Sequence, residues 1–357
     1  MKLKRATIEK FSRKVKGKKN IICFGAGLAL KRFLDYQEYS LDNDIKFIVD
    51  NSKEKQGTVM HHDDKYMSII SPVEMLDQII PQDIILITTS EFQSVLKQLE
   101  SYDKLKNTEC FFYHFMRWDQ DEHERKESMI PSQFTALDHI NIPKIIHYCW
   151  FGKSIIPKQN RIWMESWNKY CPDYQIIEWN EDNYDVSKNL YMKQAYEKGK
   201  WAFVSDYARL DIIEQYGGVY LDTDVELLKN IDILLQNEAF CGFESKRYVS
   251  FGVGFGAIKN HKLIAELKKD YEKRSFVLGN GKLNETVCPV YQTELLERYG
   301  LKRNGQFQLL ENITVYPVPV LCAMSPYSFK MMENLENSYS IHHFTGSWLD
   351  KKPNFKI

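Results

Sequence analysis

A helix-to-strand junction near the middle of the chain is the feature that most constrains the fold. Residues 187–218 read SKNLYMKQAYEKGKWAFVSDYARLDIIEQYGG, which predicts a long helical region that ends at Gly217 and Gly218. Glycine is the usual residue after the last helical turn, because it adopts the left-handed conformation without a steric penalty. The following stretch, VYLDTDVEL, predicts a strand that runs into a turn. Helices that lead directly into strands are typical of an α/β fold.

Two aspartates, Asp222 and Asp224, lie one residue apart on this predicted strand. Residues i and i+2 of a strand face the same side, so the two carboxylates should project together. Burial of two like charges without compensation is unfavourable, and a divalent cation supplies that compensation. Carboxylates suit Mg²⁺ or Mn²⁺, which stabilise the charge of a departing diphosphate in nucleotide-sugar transfer. A pair of solvated turn residues is the alternative interpretation.

Upstream of the glycines, Asp206 and Arg209 lie at positions i and i+3 of the predicted helix. One interpretation is a surface ion pair that contributes little to stability. The other is donor recognition, in which Asp206 accepts hydrogen bonds from sugar hydroxyls. In that case the planar guanidinium of Arg209 would bind the oxyanions of the diphosphate.

The first third of the chain predicts a small Rossmann-like parallel α/β unit. The segment NIICFGAGLALKRFLDYQEYSLDNDIKFIVDNS reads as strand, glycine turn, helix and a second strand that ends at Asp50. The turn has Gly25 and Gly27, but Leu30 stands where the dinucleotide fingerprint has Gly or Ala. Nucleotide binding, with Asp50 on a ribose hydroxyl, and a structural or partner-binding role both stay open. The incomplete fingerprint argues against a nicotinamide-dependent oxidoreductase.

Charged residues and a proline separate this unit from the rest of the chain. Residues 118–140 lose apolar periodicity, which predicts a linker. We therefore predict a Rossmann-like domain with a basic N-terminal helix at residues 1–117, a linker at 118–140 and a second domain at 141–357.

Charge and hydropathy limit the classes of partner and the location. Lys plus Arg and Asp plus Glu number 48 each, so net charge does not favour nucleic acid. The first twenty residues carry nine cations and one Glu, which indicates either a solvated helix or contact with an anionic membrane surface. No run approaches the roughly 20 apolar residues of a membrane-spanning helix, and no signal-peptide core is present. We therefore predict a cytoplasmic protein. If the basic N-terminal residues contact a membrane, the protein would be peripheral on the inner membrane face.

The string SDYARLDIIEQYGGVYLDTDVELL, together with IPKIIHYCWFG, resembles the DxD-containing sugar transferases of glycosyltransferase family 32. That family includes capsule-synthesis enzymes and yeast-type mannosyltransferases. The resemblance covers roughly residues 141–350. It implies a GT-A-type domain, a divalent cation (Mn²⁺ or Mg²⁺), a nucleotide-sugar donor and retention of the anomeric configuration.

The resemblance also assigns roles to individual residues. Trp150, at the end of the first strand of the second domain, matches the aromatic residue that packs against the nucleotide base, with a core tryptophan as the alternative. In SIHHFTGSW, a histidine can complete the metal shell, and His343 is assigned that role ahead of His342. The catalytic set is Asp206, Arg209, Asp222 and Asp224, the metal ligands are Asp222, Asp224 and His343, and the donor contacts are Trp150, Ser205, Asp206, Arg209, Ser347 and Trp348.

Two further segments concern the pocket around the donor. The glycine-rich SFGVGFGAIKNHKLI matches a segment that lines this pocket, where glycine lets a ligand approach the backbone. The family's Thr-Gly-Pro is replaced by TVCPVYQT, which leaves the acceptor side undefined. The prediction is a metal-dependent retaining hexosyltransferase that uses a UDP-sugar, or alternatively GDP-mannose. Its acceptor would be a glycan, a lipid-linked glycan or another hydroxyl in capsular or surface polysaccharide synthesis. A non-catalytic nucleotide-sugar-binding scaffold of a polysaccharide assembly is the alternative.

Overall fold

The computed structural model describes residues 1–18, 20–35, 41, 44–130 and 139–346. The chain divides into two compact units, Met1–His123 and Glu124–Asn354. This division falls inside a helix, Tyr113–Glu127, which contains the first ten residues of the predicted linker. Residues 131–138 of that linker lie outside the described part, so the predicted domain boundaries stay predictions.

The first unit alternates strands with helices, as its sequence predicts. The strand Ile21–Phe24 is buried on both faces, which explains its uninterrupted apolar run. The elements are β1 (Lys2–Lys4), α1 (Ile8–Val15), β2 (Ile21–Phe24), α2 (Leu28–Leu34), β3 (Ile45–Val49), β4 (Val59–His62), β5 (Lys65–Ile70), α3 (Pro72–Gln78), β6 (Ile84–Ile87), α4 (Phe92–Glu100), β7 (Glu109–Phe112) and α5 (Tyr113–Glu127).

The strands of this unit form one sheet in the order β1-β7-β6-β2-β3-β5-β4. Neighbouring strands are parallel except β4, which pairs antiparallel with β5. Alternate residues of β2 enter different core clusters, Ile21 and Cys23 one cluster and Ile22 and Phe24 the other. The sheet is therefore covered by apolar side chains on both faces.

Asp50, which closes β3, has its carboxylate occupied by neighbouring groups. Its two oxygens accept hydrogen bonds from the backbone N–H of Ala26 at 2.8 Å and of Ser52 at 2.9 Å. The ammonium group of Lys55 lies 3.1 Å away. These contacts give Asp50 a structural role at the glycine turn, and nucleotide binding by this unit stays a prediction.

The second unit contains the junction between the predicted helix and strand at Gly217 and Gly218. None of the helices in the described part of the chain has the length and apolar character needed to cross a bilayer. The elements are β8 (Ile145–Cys149), α6 (Lys158–Tyr170), β9 (Gln175–Trp179), α7 (Leu190–Glu197), α8 (Trp201–Tyr216), β10 (Gly218–Tyr220), β11 (Val225–Leu227), β12 (Ala239–Ser245), β13 (Tyr248–Ser250), β14 (Phe255–Ala257), α9 (Lys262–Glu272), α10 (Cys288–Glu297), β15 (Gln308–Leu310), β16 (Ile313–Tyr316), α11 (Val318–Leu321) and β17 (Ser340–His342).

The main sheet of this unit is mixed, with the order β15-β16-β12-β14-β10-β8-β9, and β13 pairs with β12. The three strands β10, β8 and β9 are parallel to one another. A separate antiparallel pair joins β11 to β17. A GT-A-type domain after a Rossmann-like parallel unit was predicted from the sequence, and the α/β class of that prediction is confirmed.

Helix α8 and strand β10 are joined by the two glycines that the sequence analysis identified as a helix end. Gly217 has φ +68° and Gly218 has φ +105°. A Cβ atom on Gly218 would lie 2.8 Å from the carbonyl oxygen of Ile145 in the neighbouring strand β8. Only glycine satisfies both the backbone conformation and the close approach here. The same junction sets where β10 ends and where the DxD segment begins.

His147, on β8, stabilises this junction through a hydrogen bond to Gly217. Its ring is fully buried, and Nδ1 lies 3.1 Å from the indole nitrogen of Trp179. Because an indole N–H only donates, Nδ1 is the acceptor and Nε2 carries the proton. Nε2 lies 2.9 Å from the carbonyl oxygen of Gly217 and donates to it. The histidine of IPKIIHYCWFG therefore holds the glycine junction.

His147→Gln is expected to weaken the pH dependence of stability. Burial lowers the pKa of His147 to about 4, whereas an unfolded histidine titrates near about 6.5. Between these values the unfolded chain binds more protons, so this residue removes up to about 1.4 kcal/mol of stability for each pH unit that the pH falls. The free energy of unfolding, measured in urea from pH 7 to pH 4, should fall more steeply for the wild type. Parallel profiles for the two proteins would contradict this assignment.

Candidate active site

The candidate site lies where strands β8 and β10 end. The two strands are parallel and paired, with Val219 opposite Ile146 and Tyr220 opposite His147. Their carboxyl ends therefore meet at one edge of the sheet, the edge at which α/β proteins commonly bind ligands. Trp150 follows β8 and Asp222 follows β10 at this edge.

Three side chains at this edge form a possible site for a divalent cation. One ligand atom each from Asp222, Asp224 and His342 can be chosen so that all lie within 4.8 Å of one another. Strand β17 brings the histidine to the carboxylates, because His342 pairs with Val225 of β11. Two carboxylates and an imidazole fit Mn²⁺ well, whereas Mg²⁺ prefers oxygen ligands throughout.

Asp224 is held in place by His342, the last residue of β17, and by Thr345, which follows that strand. One carboxylate oxygen accepts hydrogen bonds from the backbone N–H and the hydroxyl of Thr345, at 2.9 and 2.8 Å. The other oxygen lies 3.1 Å from Nε2 of His342. Burial would raise the pKa of Asp224, but the charge of His342 and these hydrogen bonds outweigh burial and hold the pKa below its usual range. Asp224 is therefore ionised and oriented towards the cluster.

The structure places His342 beside the carboxylate pair, and the metal-ligand role of either histidine stays a prediction. His343, which the sequence analysis preferred, does not face the carboxylate pair: its ring stacks on Trp163 at 3.9 Å, and its Nε2 lies 2.8 Å from Glu226. Successive side chains of a strand point to opposite sides, so a shift of one residue moves the imidazole away from the metal site. Its backbone N–H donates to the carbonyl of Asp224 at 2.9 Å. His343 thus supports the segment that positions His342.

Replacing each histidine by alanine should separate these roles. His342→Ala is expected to lower the affinity for Mn²⁺ by at least about tenfold, the loss typical even of groups that only support a metal ligand. His343→Ala should change it by less, because this ring contacts Trp163 and Glu226 instead. Calorimetric titration with Mn²⁺ measures both. A larger loss for the His343 variant would return the ligand role to that residue.

Behind the carboxylates, Arg209 connects the two acidic parts of the site. Its Nη2 lies 3.3 Å from Asp206 and 3.4 Å from Asp222. Arg209 is 3% exposed and Asp206 is 5% exposed, so this is a buried ion pair rather than the surface pair that was the alternative interpretation. The guanidinium also lies 4.9 Å from the centre of the Tyr220 ring. Arg209 compensates the negative charge that the DxD segment brings into the interior.

One nitrogen of Arg209 has no partner in the described structure. Nη1 is buried and forms no hydrogen bond. Beside it lies Gly252, where a Cβ atom would stand 3.4 Å from Nη1 and 2.7 Å from Oδ2 of Asp222. Because buried donors are normally satisfied, this nitrogen indicates a binding position for an oxygen acceptor. Gly252 belongs to the glycine-rich segment that was expected to line the pocket.

Asp206 is a buried carboxylate of the site. Burial raises the pKa of its carboxyl to about 6, against the lowering effects of Arg209 and of a hydrogen bond from Cys288. Cys288 begins helix α10 and belongs to TVCPVYQT, the segment that departs from the family pattern. The departure therefore adjoins the residue that was expected to recognise the donor sugar.

The remaining predicted residues are placed as follows. Trp150 is half-buried against the core, and its indole N–H donates to the carbonyl of Ser154 at 2.6 Å. The hydroxyl of Ser205 donates to the carbonyl of Trp201 within α8 at 3.3 Å. Their contacts with a donor stay predictions. Ser347 and Trp348 lie outside the residues that the structure describes.

Sequence reasoning missed Thr345 and did not single out Gly252. Thr345 is within the SIHHFTGSW segment, but nothing in the letters shows that its hydroxyl and N–H reach a carboxylate far earlier in the chain. Gly252 is one of several glycines in its segment, and only the short distance to Asp222 distinguishes it.

Part of the chain matches a known protein family. Residues 157–241 match the family model described as glycosyltransferase sugar-binding region containing DXD motif. The chain carries a DXD-type sugar-binding region. Resemblance to DxD-containing glycosyltransferases is thus confirmed for this region, and the capsule-synthesis type stays a prediction.

Curated relatives and one solved structure are similar to parts of the chain. Mannosyl phosphorylinositol ceramide synthase SUR1 of Saccharomyces cerevisiae is 28% identical over 223 residues, 55% of this chain and 55% of that protein. The synthase CSH1 of the same yeast is 32% identical over 189 residues, 48% of this chain and 47% of that protein. The chain thus spans about half the length of the curated relatives it matches. The PaToxG glycosyltransferase structure matches 44% of this chain and 68% of its own, with 18% identity and a TM-score of 0.35.

Proposed function

We propose that the protein is a metal-dependent glycosyltransferase that moves a sugar from a nucleotide-diphosphate donor to a hydroxyl acceptor. The observation that carries this proposal is the convergence of Asp222, Asp224 and His342 beside the unpartnered Nη1 of Arg209. A cation bound by the three ligands would stabilise negative charge on the leaving diphosphate. The matched sugar-binding region supports the same chemistry.

The side chains of the cluster divide the work of binding the donor. Arg209 is fixed by its contacts with Asp206 and Asp222, which leaves Nη1 to donate to a donor oxygen. A charged donor that is held rigidly in a buried site needs little reorganisation when charge develops on the leaving group. A side chain at position 252 would crowd Asp222 and approach this nitrogen, so glycine there keeps Nη1 uncovered by a neighbouring side chain. Asp206 is proposed to accept hydrogen bonds from sugar hydroxyls.

Retention of the anomeric configuration is proposed with the transfer. The carboxylates of the cluster are committed to neighbours, Asp206 to Arg209 and Asp224 to Thr345 and His342. This arrangement supports attack of the acceptor hydroxyl on the same face as the departing diphosphate, with a phosphate oxygen as the base. The anomeric proton of the product, observed by NMR during the reaction, distinguishes retention from inversion.

The donor and acceptor are proposed more broadly. The yeast relatives are named mannosyl phosphorylinositol ceramide synthases, and a human relative of part of the chain is named an α-1,4-N-acetylglucosaminyltransferase. Both GDP-mannose and UDP-sugars therefore belong among the candidate donors, and glycans and lipid-linked hydroxyls among the acceptors. We propose a cytoplasmic location, where nucleotide sugars would be available.

A panel of nucleotide sugars tests the function. The full chain is incubated with each donor in Mn²⁺ and, separately, in a chelator, and the released nucleotide is measured. Metal-dependent release from at least one donor is the expected result. If no donor is cleaved while a nucleotide diphosphate raises the melting temperature only with Mn²⁺, the protein is a nucleotide-sugar-binding scaffold instead.

A further inference from the structure

The segment between β8 and the first turns of α6 presents exposed aliphatic and cationic side chains together. Ile155 is 84% exposed and Ile162 is 45% exposed. Residues 153–162, KSIIPKQNRI, contain three cations and no Asp or Glu. The three cations are exposed, and none has an ion-pair partner among the described residues. We name this set the basic-apolar surface: Lys153, Ile155, Lys158, Arg161 and Ile162.

Ile155 is exposed on a loop whose backbone is fixed by specific contacts. Gly152 has φ +92° and Lys153 has φ +58°, and a Cβ atom on Gly152 would lie 2.6 Å from the ring of Trp201. The backbone N–H of Gly152 donates to Glu181 at 2.7 Å, and the carbonyl of Ser154 accepts from Trp150 at 2.6 Å. These contacts fix the loop on both sides of its turn. The conformation of this loop therefore keeps the side chain of Ile155 exposed to solvent.

The basic-apolar surface adjoins the candidate site. Asn160, in the first turn of α6, donates to the hydroxyl of Thr223 at 3.1 Å, and Thr223 lies between the two aspartates of the DxD segment. One turn later, Trp163 stacks on His343. The same helix turns thus contact the site and present the exposed cations and isoleucines.

We propose that the basic-apolar surface docks the second unit on an anionic lipid bilayer. Single exposed apolar residues are common on soluble proteins, but two isoleucines among three unpaired cations match what bilayer interfaces bind. Aliphatic tips enter the boundary between headgroups and acyl chains, and lysine and arginine side chains extend their charges to anionic headgroups. A projecting loop can insert into a deformable lipid bilayer without needing a groove of matching shape on a protein partner. Docking would bring the candidate site close to a lipid-linked hydroxyl. Membrane binding by this surface does not depend on the proposed transfer reaction.

Vesicle sedimentation tests the proposal with the full chain and no donor, so its outcome is separate from that of the transfer reaction. The wild type should sediment with phosphatidylserine-containing vesicles and not with pure phosphatidylcholine. Ile155→Glu should reduce binding by at least about tenfold, because it removes an inserted side chain and adds a charge that the anionic surface repels. Reversal of Lys153, Lys158 and Arg161 together should reduce it further, since each lost cation weakens binding about fivefold.

Two controls keep the test specific. Leu309→Glu changes a side chain that is 63% exposed on β15, outside the basic-apolar surface, so binding should stay at the wild-type level. Lys16→Glu with Lys18→Glu alters the basic N-terminal segment and should also preserve most of the binding. The proposal is overturned if Ile155→Glu sediments like the wild type, if Leu309→Glu loses as much, or if only the N-terminal variant loses binding. Far-UV circular dichroism and the melting temperature confirm that each variant is folded.

Discussion

Asp224→Asn is expected to lower the rate of metal-dependent release of the donor nucleotide by about a thousandfold or more, the loss expected when charge stabilisation of several kcal/mol is removed. Asparagine keeps the shape of the side chain and can still accept from the N–H and hydroxyl of Thr345. It removes the negative charge that lies with Asp222 and His342. The fold should therefore persist while cation binding and turnover are lost.

Nucleotide release and calorimetric Mn²⁺ titration measure this effect on the same samples. Asp182→Asn is a matched control, because Asp182 is exposed and lies outside the cluster. The melting temperature of both variants should lie within a few degrees of the wild type. Wild-type turnover in the Asp224 variant would contradict the assigned site, whereas lost turnover with intact Mn²⁺ binding would show that Asp224 acts other than as a ligand.

Arg209→Met should destabilise the protein by about 3–5 kcal/mol, the typical penalty for removing one partner of a buried ion pair. The guanidinium is 3% exposed and contacts both Asp206 and Asp222. Its removal leaves a deeply buried carboxylate without a cation. Urea unfolding at pH 7 measures the change, and donor affinity should fall together with stability because Nη1 is lost.

A double variant separates charge from packing. Asp206→Asn combined with Arg209→Met removes both charges, so it should be more stable than the sum of the two single changes predicts, because the residues are in contact. Arg303→Met serves as control, since its pair with Glu297 is partly exposed and should contribute about 1 kcal/mol or less. Strict additivity of the first pair would show that Arg209 and Asp206 do not interact as the structure indicates.

The sequence was most informative where a prediction depended on neighbouring residues. The run of strand, glycine turn and helix near Gly25 predicted the parallel sheet of the first unit, and the α/β class is confirmed. Gly217 and Gly218 end helix α8 as predicted, because the φ values needed there are accessible to glycine. Apolar periodicity did not indicate that residues 118–127 form part of helix α5, and the linker at 118–140 stays a prediction.

Predictions that depended on distant residues were less complete. The sequence favoured His343 as a metal ligand, whereas the pairing of β17 with β11 places His342 beside the carboxylates. Adjacent histidines have nearly the same sequence surroundings, so the sequence did not indicate which of the two lies on the strand face next to the carboxylates. Thr345 and Gly252 became identifiable only through their distances to Asp224 and Asp222.

The sequence by itself determined the acidic pair, the helix that carries Asp206 and Arg209, and the glycine junction between them, because each follows from residues adjacent in the chain. Tertiary structure alone decided that Arg209 is buried between two carboxylates with one nitrogen unpaired, and that His342 completes the cluster. Burial brings Arg209 and the two carboxylates together, and sheet register joins segments more than a hundred residues apart, as the hydrogen bonds from Thr345 to Asp224 show. Local preferences carry no information about such pairings.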